Sequence, residues 1–266
     1  MDLERLDELA EDPRIVSGIH NYCDRWCERC GFTDRCLNFA MEREEKKESQ
    51  ESESGVDDSE AAMKVVEQSL QSTLELVRKM AAEAGVDLED LEVEEEDPPP
   101  DPREGARQHP CSVAAMEYIG IVDTWFETRT DLFRNKAVTV ARQVVVDLPG
   151  SDPESEVNAL KENVDAIRWY QHFFYPKIMR ALGSAEHERE RGHDDEFPRD
   201  SAGSAKIALI AMDRSIDAWT HLRDALLDDA DSILDILAHL ERLRRTAESK
   251  FPNARAFVRP GFDEVP

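Results

Sequence analysis

The chain has few glycines and few aromatic residues, with 11 glycines and 7% aromatic side chains among 266 residues. It also has few segments in which apolar and polar residues alternate with the period of two that half-buried strands show. These absences exclude a sandwich of many short strands joined by glycine-rich turns. Runs rich in alanine, leucine, glutamate and arginine are typical of helices. Because 40% of the residues are hydrophobic, a substantial core can form, and we expect an all-α fold.

Basic residues are in the minority, since 33 lysines and arginines face 59 aspartates and glutamates and leave a net charge of −26. A surface of this sign repels phosphate backbones, so we expect no nucleic-acid partner. No apolar run approaches the roughly 20 residues needed to span a bilayer. The opening sequence MDLERLDELAEDPR lacks the basic and apolar regions of a signal peptide. We therefore expect no membrane association and a cytoplasmic location.

Two acidic stretches nearly devoid of apolar residues, 42–60 and 87–104, are typical of solvated linkers. Between them, a helical spacing of apolar residues predicts an amphipathic helix over 59–84. Such a helix needs a partner surface, which can be the rest of the chain, another protein or a second copy. The apolar positions of this helix are Met63, Val66, Leu70, Leu74, Val77 and Met80.

The C-terminal half carries the long helical patterns, separated by breakers such as Pro149-Gly150. Their lengths suit a bundle of about four long helices. We expect these helices at 111–147, 153–183, 202–227 and 230–250. The predicted organisation is a Cys-rich helical hairpin at 1–42, acidic linkers flanking the amphipathic helix at 43–107, a helical bundle at 108–253, and a tail at 254–266 packed on the bundle.

Four of the five cysteines lie within fourteen residues, with the spacing Cys23-x3-Cys27-x2-Cys30-x5-Cys36. In a reducing compartment, such a cluster predicts a metal site and not a set of disulfides. An α-helix over residues 15–30 would bring the first three thiols within an arc of roughly 60°. With Thr33 as the N-cap of a second helix, Cys36 would lie in its first turn, where the helix dipole favours thiolate.

The ligand set admits two kinds of metal centre, because zinc and iron-sulfur clusters both accept four thiolates. Structural zinc sites commonly use two separated knuckles, whereas cubane clusters often draw several ligands from one short segment. The compact spacing favours a [4Fe-4S] cluster at Cys23, Cys27, Cys30 and Cys36, with zinc as the alternative. Four cysteines packed as small hydrophobes would need more apolar surroundings than this polar segment has.

The sequence Cys27-Glu-Arg-Cys30-Gly-Phe-Thr-Asp-Arg-Cys36-Leu-Asn-Phe-Ala40 resembles the C-x2-C-x5-C segment of the WhiB-like proteins. In that family the cysteines hold a [4Fe-4S] cluster on short helices. The resemblance covers fewer than twenty residues and implies that Cys27, Cys30 and Cys36 are cluster ligands. Cys23 would replace a family cysteine that lies much further upstream. The family's Gly-Val-Trp-Gly-Gly turn and basic C-terminal tail are missing, so no role in transcription is inferred.

The first three cysteines also have the C-x3-C-x2-C spacing of the radical SAM cluster loop, but the strands of that family's barrel are not expected here. The Cys-rich segment is too short to bury a core of its own, yet it carries seven large apolar residues. These are Ile15, Ile19, Tyr22, Trp26, Phe32, Leu37 and Phe39. We expect these apolar side chains to dock on the bundle and to couple the metal site to it.

Three functions follow as hypotheses. The first is a redox or sensing protein with a [4Fe-4S] cluster, and the second is an interaction or scaffold protein with structural zinc. The third is an enzyme that uses a polar pocket of the bundle. Asp123 and Gln171 would line that pocket from apolar stripes, with His172 and Asp213 near its mouth. The same residues can instead form an interhelical hydrogen-bond network. The P-loop, G-x-G-x-x-G, G-x-S-x-G and H-E-x-x-H patterns are absent, so the sequence indicates no particular reaction.

Overall fold

The computed structural model describes residues 3–51, 58–85, 103–146, 152–191 and 199–263. Within these ranges the chain forms helices and no strand, which confirms the all-α prediction. The α-helices are α1 (Leu3–Ala10), α2 (Leu37–Glu51), α3 (Asp58–Glu83), α4 (Glu104–Gln108), α5 (Pro110–Thr128), α6 (Thr130–Val146), α7 (Pro153–Gln171), α8 (Phe174–Arg191), α9 (Asp200–Ala225) and α10 (Ala230–Lys250).

The chain divides into two compact units. The first unit comprises Met1–Ser17 and Cys30–Pro99, and the second comprises Gly18–Arg29 and Pro100–Pro266. The division passes through the Cys-rich segment, which we had expected to form one hairpin with the rest of residues 1–42.

In the first unit, α1 packs against α2, and the backbone N–H of Val16 donates to the carbonyl of Arg35 at 3.0 Å. Helix α2 continues to Glu51, well into the stretch expected to be a linker. The remaining parts of the expected linkers, 52–57 and 86–102, lie outside the described residues. The amphipathic helix predicted at 59–84 is confirmed as α3.

The second unit is built around α9, which packs against α7, α8 and α10. Trp219 of α9 is fully buried, and its indole N–H donates to the hydroxyl of Tyr118 at 2.9 Å. The ring of Trp125 meets Trp219 edge to face, with the ring centroids 5.0 Å apart. Aromatic pairs in this geometry add to the stabilisation that burial alone provides. The tail also belongs to this unit. The ring of Phe257 packs on the ring of Tyr22, with 4.8 Å between the ring centroids.

The bundle differs from the prediction because each of its first two expected helices is broken in the middle. One break lies at Arg129, after Thr128, whose hydroxyl donates to the carbonyl of Thr124 at 2.6 Å. Side-chain hydrogen bonds of this kind compete with the backbone hydrogen bonds of the helix. The other break separates α7 from α8 at His172, four residues before Pro176. A proline cannot donate to the carbonyl four residues earlier, but it is tolerated in the first turn of a new helix.

The two later helices have the faces that the apolar spacing predicts, and Leu209 and Ile233 are fully buried on them. On α5 the apolar spacing predicts a core face that contains Met116, Ile119 and Phe126, and this prediction was wrong by one position. Met116 is 49% exposed there, whereas Ala115 and Tyr118 are fully buried. A shift of one residue rotates a helix by about 100° and therefore exchanges buried and exposed positions.

Candidate metal centre

The four clustered cysteines are divided between the two units. Cys23 and Cys27 belong to the second unit, and Cys30 and Cys36 belong to the first. All four are reduced thiols and partly exposed. Cys111, by contrast, is fully buried in the core of the second unit, and burial raises the pKa of its thiol to about 11. The clustered thiols thus remain accessible to a ligand, whereas Cys111 is a packed core residue.

The segment around the first cysteines is not the α-helix that we predicted for residues 15–30. Two short 3-10 helices, Ile19–Tyr22 and Cys27–Arg29, flank an extended Cys23 with φ −103° and ψ 167°. Between them, the carboxylate of Asp24 accepts the backbone N–H of Trp26 at 3.2 Å. Such a local hydrogen bond competes with the backbone hydrogen bonds of an α-helix. The thiols therefore lie on a folded loop and not on one helix face.

Arg25, in the middle of this loop, adopts a left-handed conformation with φ 56°. Few residues other than glycine, asparagine and aspartate take up this conformation.

Cys36 lies just before α2 and not inside its first turn. Its backbone is extended, with φ −111° and ψ 114°, and its carbonyl accepts the N–H of Ala40 at 3.0 Å. Cys36 therefore occupies the N-cap position of α2, and the prediction that Thr33 is the N-cap was wrong. Thr33 instead begins a 3-10 helix that ends at Arg35. At the N-cap, a thiolate remains within reach of the positive end of the helix dipole.

The thiol of Cys30 accepts a backbone hydrogen bond, with the N–H of Phe32 lying 3.4 Å from its Sγ atom. Hydrogen bonds to sulfur of this kind also occur around the cysteine ligands of metal centres.

Asp24 anchors the loop of Cys23 and Cys27 within the second unit. Its carboxylate accepts a hydrogen bond from the Tyr170 hydroxyl at 2.7 Å and forms an ion pair with Arg214. Its backbone carbonyl accepts the indole N–H of Trp169 at 3.0 Å. Helices α7 and α9 thus contribute three donors to one residue between two candidate ligands.

Trp26 adds an aromatic contact to this anchor. Its ring stacks on Trp169 with 5.1 Å between centroids and meets Tyr170 edge to face at 5.9 Å. The guanidinium of Arg29 lies 4.1 Å from the Trp26 ring centroid, and it pairs with Asp165 at 3.6 Å. The docking that we expected for the Cys-rich segment is therefore confirmed for residues 18–29.

Tyr22 attaches the same segment to the beginning of α9. Its hydroxyl donates to Asp200 at 3.1 Å, and Asp200 also accepts hydrogen bonds from Arg180 at 2.6 Å and Ser184 at 2.6 Å. Burial alone would raise the pKa of Asp200, but these hydrogen bonds outweigh it, so the pKa is lowered. Burial raises the pKa of the Tyr22 hydroxyl to about 12.

Cationic side chains lie near the turn that precedes Cys23. The ammonium of Lys177 donates to the carbonyl of Asn21 at 3.2 Å, two residues before that cysteine. The pKa of His20 is lowered by burial, and next by the charges of Arg25, Arg180 and Lys177. Cationic groups thus lie near the turn at residues 20–25, together with the carboxylates of Asp24 and Asp200.

The polar residues of the bundle form a hydrogen-bond network. The amide of Gln171 donates to Asp123 at 2.7 Å and to the carbonyl of Ile119 at 3.2 Å. Arg168 donates to both Asp123 and Gln171, at 2.9 and 3.1 Å. These hydrogen bonds lower the pKa of Asp123, the one from Gln171 contributing most. The groups satisfy one another, as expected of a structural network.

The other two residues considered for a pocket do not join this network. Asp213 forms ion pairs with Arg244 at 3.3 Å and with Arg255. His172 is exposed and follows the last residue of α7.

No protein-family model, curated protein or solved structure matches this chain.

In the part of the chain that the structure describes, no three His, Cys, Asp or Glu side chains are grouped as ligands of a metal ion. None of the helices described combines the length and apolar character needed to cross a bilayer.

Proposed function

We propose that this protein binds a metal centre through Cys23, Cys27, Cys30 and Cys36, and that it has a redox or sensing role in the cytoplasm. The observation that carries the proposal is the contrast among the cysteines. Four accessible thiols lie within fourteen residues of sequence, whereas Cys111 is buried in the apolar core. Buried structural cysteines are inert, whereas reactive cysteines lie in partly exposed surroundings that favour thiolate, the form that binds metals.

The surroundings of individual thiols support this role. Cys30 receives a backbone hydrogen bond, Cys36 lies at a helix N-terminus, and Cys23 lies near the ammonium of Lys177. Metal binding requires deprotonated cysteine, so donors and cations beside these residues are the groups relevant to it.

A [4Fe-4S] cluster is the leading candidate for this centre. The compact Cys27-x2-Cys30-x5-Cys36 spacing and its resemblance to the WhiB-like segment favour it, and structural zinc is the alternative. When bound, a cluster would supply one-electron chemistry or sensitivity to oxidants. The residues of this chain would supply the four thiolates and their hydrogen bonds.

Cysteine variants test the proposal. Protein purified without oxygen should contain stoichiometric metal, and Cys27→Ser or Cys30→Ser should lower the metal content strongly, because loss of one thiolate weakens such sites. Cys111→Ala is the matched control and should retain the metal of the wild type. Equal metal content in all three variants would contradict the assignment of the ligands.

We propose a second role for α3, which is the binding of a protein partner or a second copy of this chain. Its six apolar stripe residues are between 47% and 68% exposed, although their spacing is that of a packed helix face. Leu70→Glu should abolish association measured by light scattering on a sizing column, while Glu75→Ala on the polar face should not. A wild-type protein that is monomeric at all concentrations and captures no partner would contradict this role.

A further inference from the structure

Helix α3 presents an apolar stripe to its surroundings. Each of the six side chains of this stripe is between 47% and 68% exposed in the part of the chain that the structure describes. They recur at steps of three and four residues, which is the spacing along which two helices pack side by side. The stripe consists of Met63, Val66, Leu70, Leu74, Val77 and Met80. Exposed apolar surface of this kind marks a site at which a partner is bound.

The length and the ends of the stripe suit a helical partner. Helix α3 has 26 residues and extends over about 39 Å, at 1.5 Å per residue. Met63 and Met80 lie at the two ends of the stripe, and methionine side chains are flexible enough to fit partners of different shape. A second helix can therefore lie along α3 over several turns.

The unit that contains α3 is the acidic part of the molecule. Met1–Ser17 and Cys30–Pro99 contain 27 aspartates and glutamates but only 9 lysines and arginines, a net charge of −18. The second unit is about twice as long, and it contributes the remaining −8 of the total of −26. A field of this sign attracts a cationic partner and opposes the approach of a second copy of the same unit.

The charged residues of α3 are arranged to the same effect. At about 100° per residue, Glu67 is the charged residue of the helix that lies nearest to the stripe, and its side chain is exposed. Lys64 and Lys79 fall on the far side of the helix. A partner on the stripe therefore meets a carboxylate at its edge before it meets these lysines.

We propose that α3 binds a basic amphipathic helix of another protein, whose apolar face packs on the stripe and whose lysines and arginines face the acidic residues of the first unit. This inference rests on the second role proposed for α3 and deepens it, because it identifies the class of partner. The apolar residues of such helices serve as anchors at i, i+3, i+4 and i+7. Complementary charge accelerates the encounter and excludes acidic partners.

Three synthetic peptides are the probes for this site. The first has about 18 residues, or five helical turns, with leucines at helical spacing and lysines at the polar positions. The second has glutamates in place of the lysines, and the third has the composition of the first in an order without helical spacing. We expect the full-length protein to bind only the first, measured by fluorescence anisotropy of the labelled peptides. Raising the salt from about 0.1 M to about 1 M should weaken binding, because the Debye length falls from about 10 Å to about 3 Å.

Variants of α3 test whether the stripe is the surface that binds. Leu70→Gln should weaken binding of the lysine peptide about tenfold, the loss expected when one apolar anchor is removed. Glu67→Lys should also weaken it, because the variant places a positive charge beside the stripe. Gln71→Ala is the matched control on the polar side and should bind as the wild type does. Circular dichroism should show the same helical content in all three variants.

The outcomes separate this inference from the role on which it rests. Equal binding of the lysine and glutamate peptides, or equal binding of the lysine peptide by Leu70→Gln and the wild type, would overturn the inference. Self-association through Leu70, in a protein that does not bind the lysine peptide, would also overturn it but would leave the second role of α3 standing. A monomeric protein that binds no peptide and captures no partner would contradict both.

Discussion

Gly203 lies where α9 passes beneath the docked loop. A methyl group at this position would lie 2.3 Å from Cε1 of Tyr22 and 2.8 Å from Cζ of Phe257. Gly120 of α5, by comparison, has open space around it. The absence of a side chain at position 203 therefore lets the loop and the tail approach the helix.

We predict that Gly203→Ala destabilises the second unit by about 1–3 kcal/mol, as overpacked sites do. Gly120→Ala is the matched control and should be neutral or stabilising, because alanine favours a helix by about 1 kcal/mol over glycine. Urea unfolding of both variants measures the difference. A Gly203→Ala protein as stable as the control would contradict the close packing of Tyr22.

Asp200 gives the fold a dependence on pH. Its pKa is lower in the folded chain than its ordinary value of 3.8, because the hydrogen bonds from Arg180 and Ser184 outweigh the effect of burial. The stabilisation is thus fully present above pH 3.8 and is lost as the pH falls through the folded pKa.

We predict that Asp200→Asn lowers the free energy of unfolding by about 1–2 kcal/mol at pH 7, a value reduced for the partial exposure of the ion pair. The difference from the wild type should shrink as the pH falls below 3.8 and through the lower folded pKa, where the carboxylate becomes protonated. Chemical unfolding at pH 7 and pH 3 measures both effects. If the difference in unfolding free energy is the same at both pH values, the charge of the Asp200 carboxylate does not contribute to it.

At the scale of elements, the loop at residues 18–29 connects the candidate ligands to α7 and α9. Trp26 of this loop is partly buried and stacks on Trp169. We predict that Trp26→Ala costs about 2 kcal/mol, less than for a fully buried tryptophan, whereas Trp26→Phe retains most of the stability. Thermal unfolding of the two variants tests this. Equal melting temperatures for Trp26→Ala and the wild type would mean that the loop is not held by its aromatic contacts.

The same variant should weaken metal binding if the docked loop positions Cys23 and Cys27. A loop that is released must be ordered again when metal binds, and the cost of this ordering reduces affinity. Competition with a chelator compares Trp26→Ala with Trp26→Phe. If Trp26→Ala and Trp26→Phe retain metal equally well, the docking of the loop does not affect metal binding.

Some elements could be predicted from the sequence because their signal is local. The apolar spacing of α3, α9 and α10 indicated both the helices and, for α9 and α10, the buried faces that contain Leu209 and Ile233. The break before α8 also has a local signal, Pro176, which the apolar periodicity concealed. Because Pro176 has no backbone N–H, it cannot donate to the carbonyl of His172, and the helix breaks at that residue.

The conformation of the Cys-rich loop could not be predicted in the same way. Asp24 lies 146 residues from Tyr170 and 190 residues from Arg214, and both hold its carboxylate. Contacts between residues so far apart produce no periodic pattern in the sequence. Here they stabilise a loop, although the spacing of the first three cysteines is that of a helix. The cysteines and their spacing were evident from the sequence, but the backbone conformation that presents them was not.

At the scale of the whole molecule, metal binding and the stability of the second unit should be linked, because Cys23 and Cys27 belong to that unit. A ligand that binds only the folded state stabilises it by about 2.7 kcal/mol at a concentration one hundred times its Kd. We predict that removal of metal by a chelator lowers the melting temperature by several degrees, at about 2–4 °C per kcal/mol. Calorimetry of holo and apo protein measures the shift. An unchanged melting temperature would mean that the metal is bound independently of this unit.

The most direct test of the central claim is the metal and sulfide content of wild-type protein purified and kept without oxygen. We expect about four iron atoms and about four sulfides per chain, with a brown colour that bleaches on reduction. The structural-zinc alternative gives about one zinc per chain and no sulfide. Fully folded wild-type protein that contains neither metal would contradict the assignment of Cys23, Cys27, Cys30 and Cys36 as ligands.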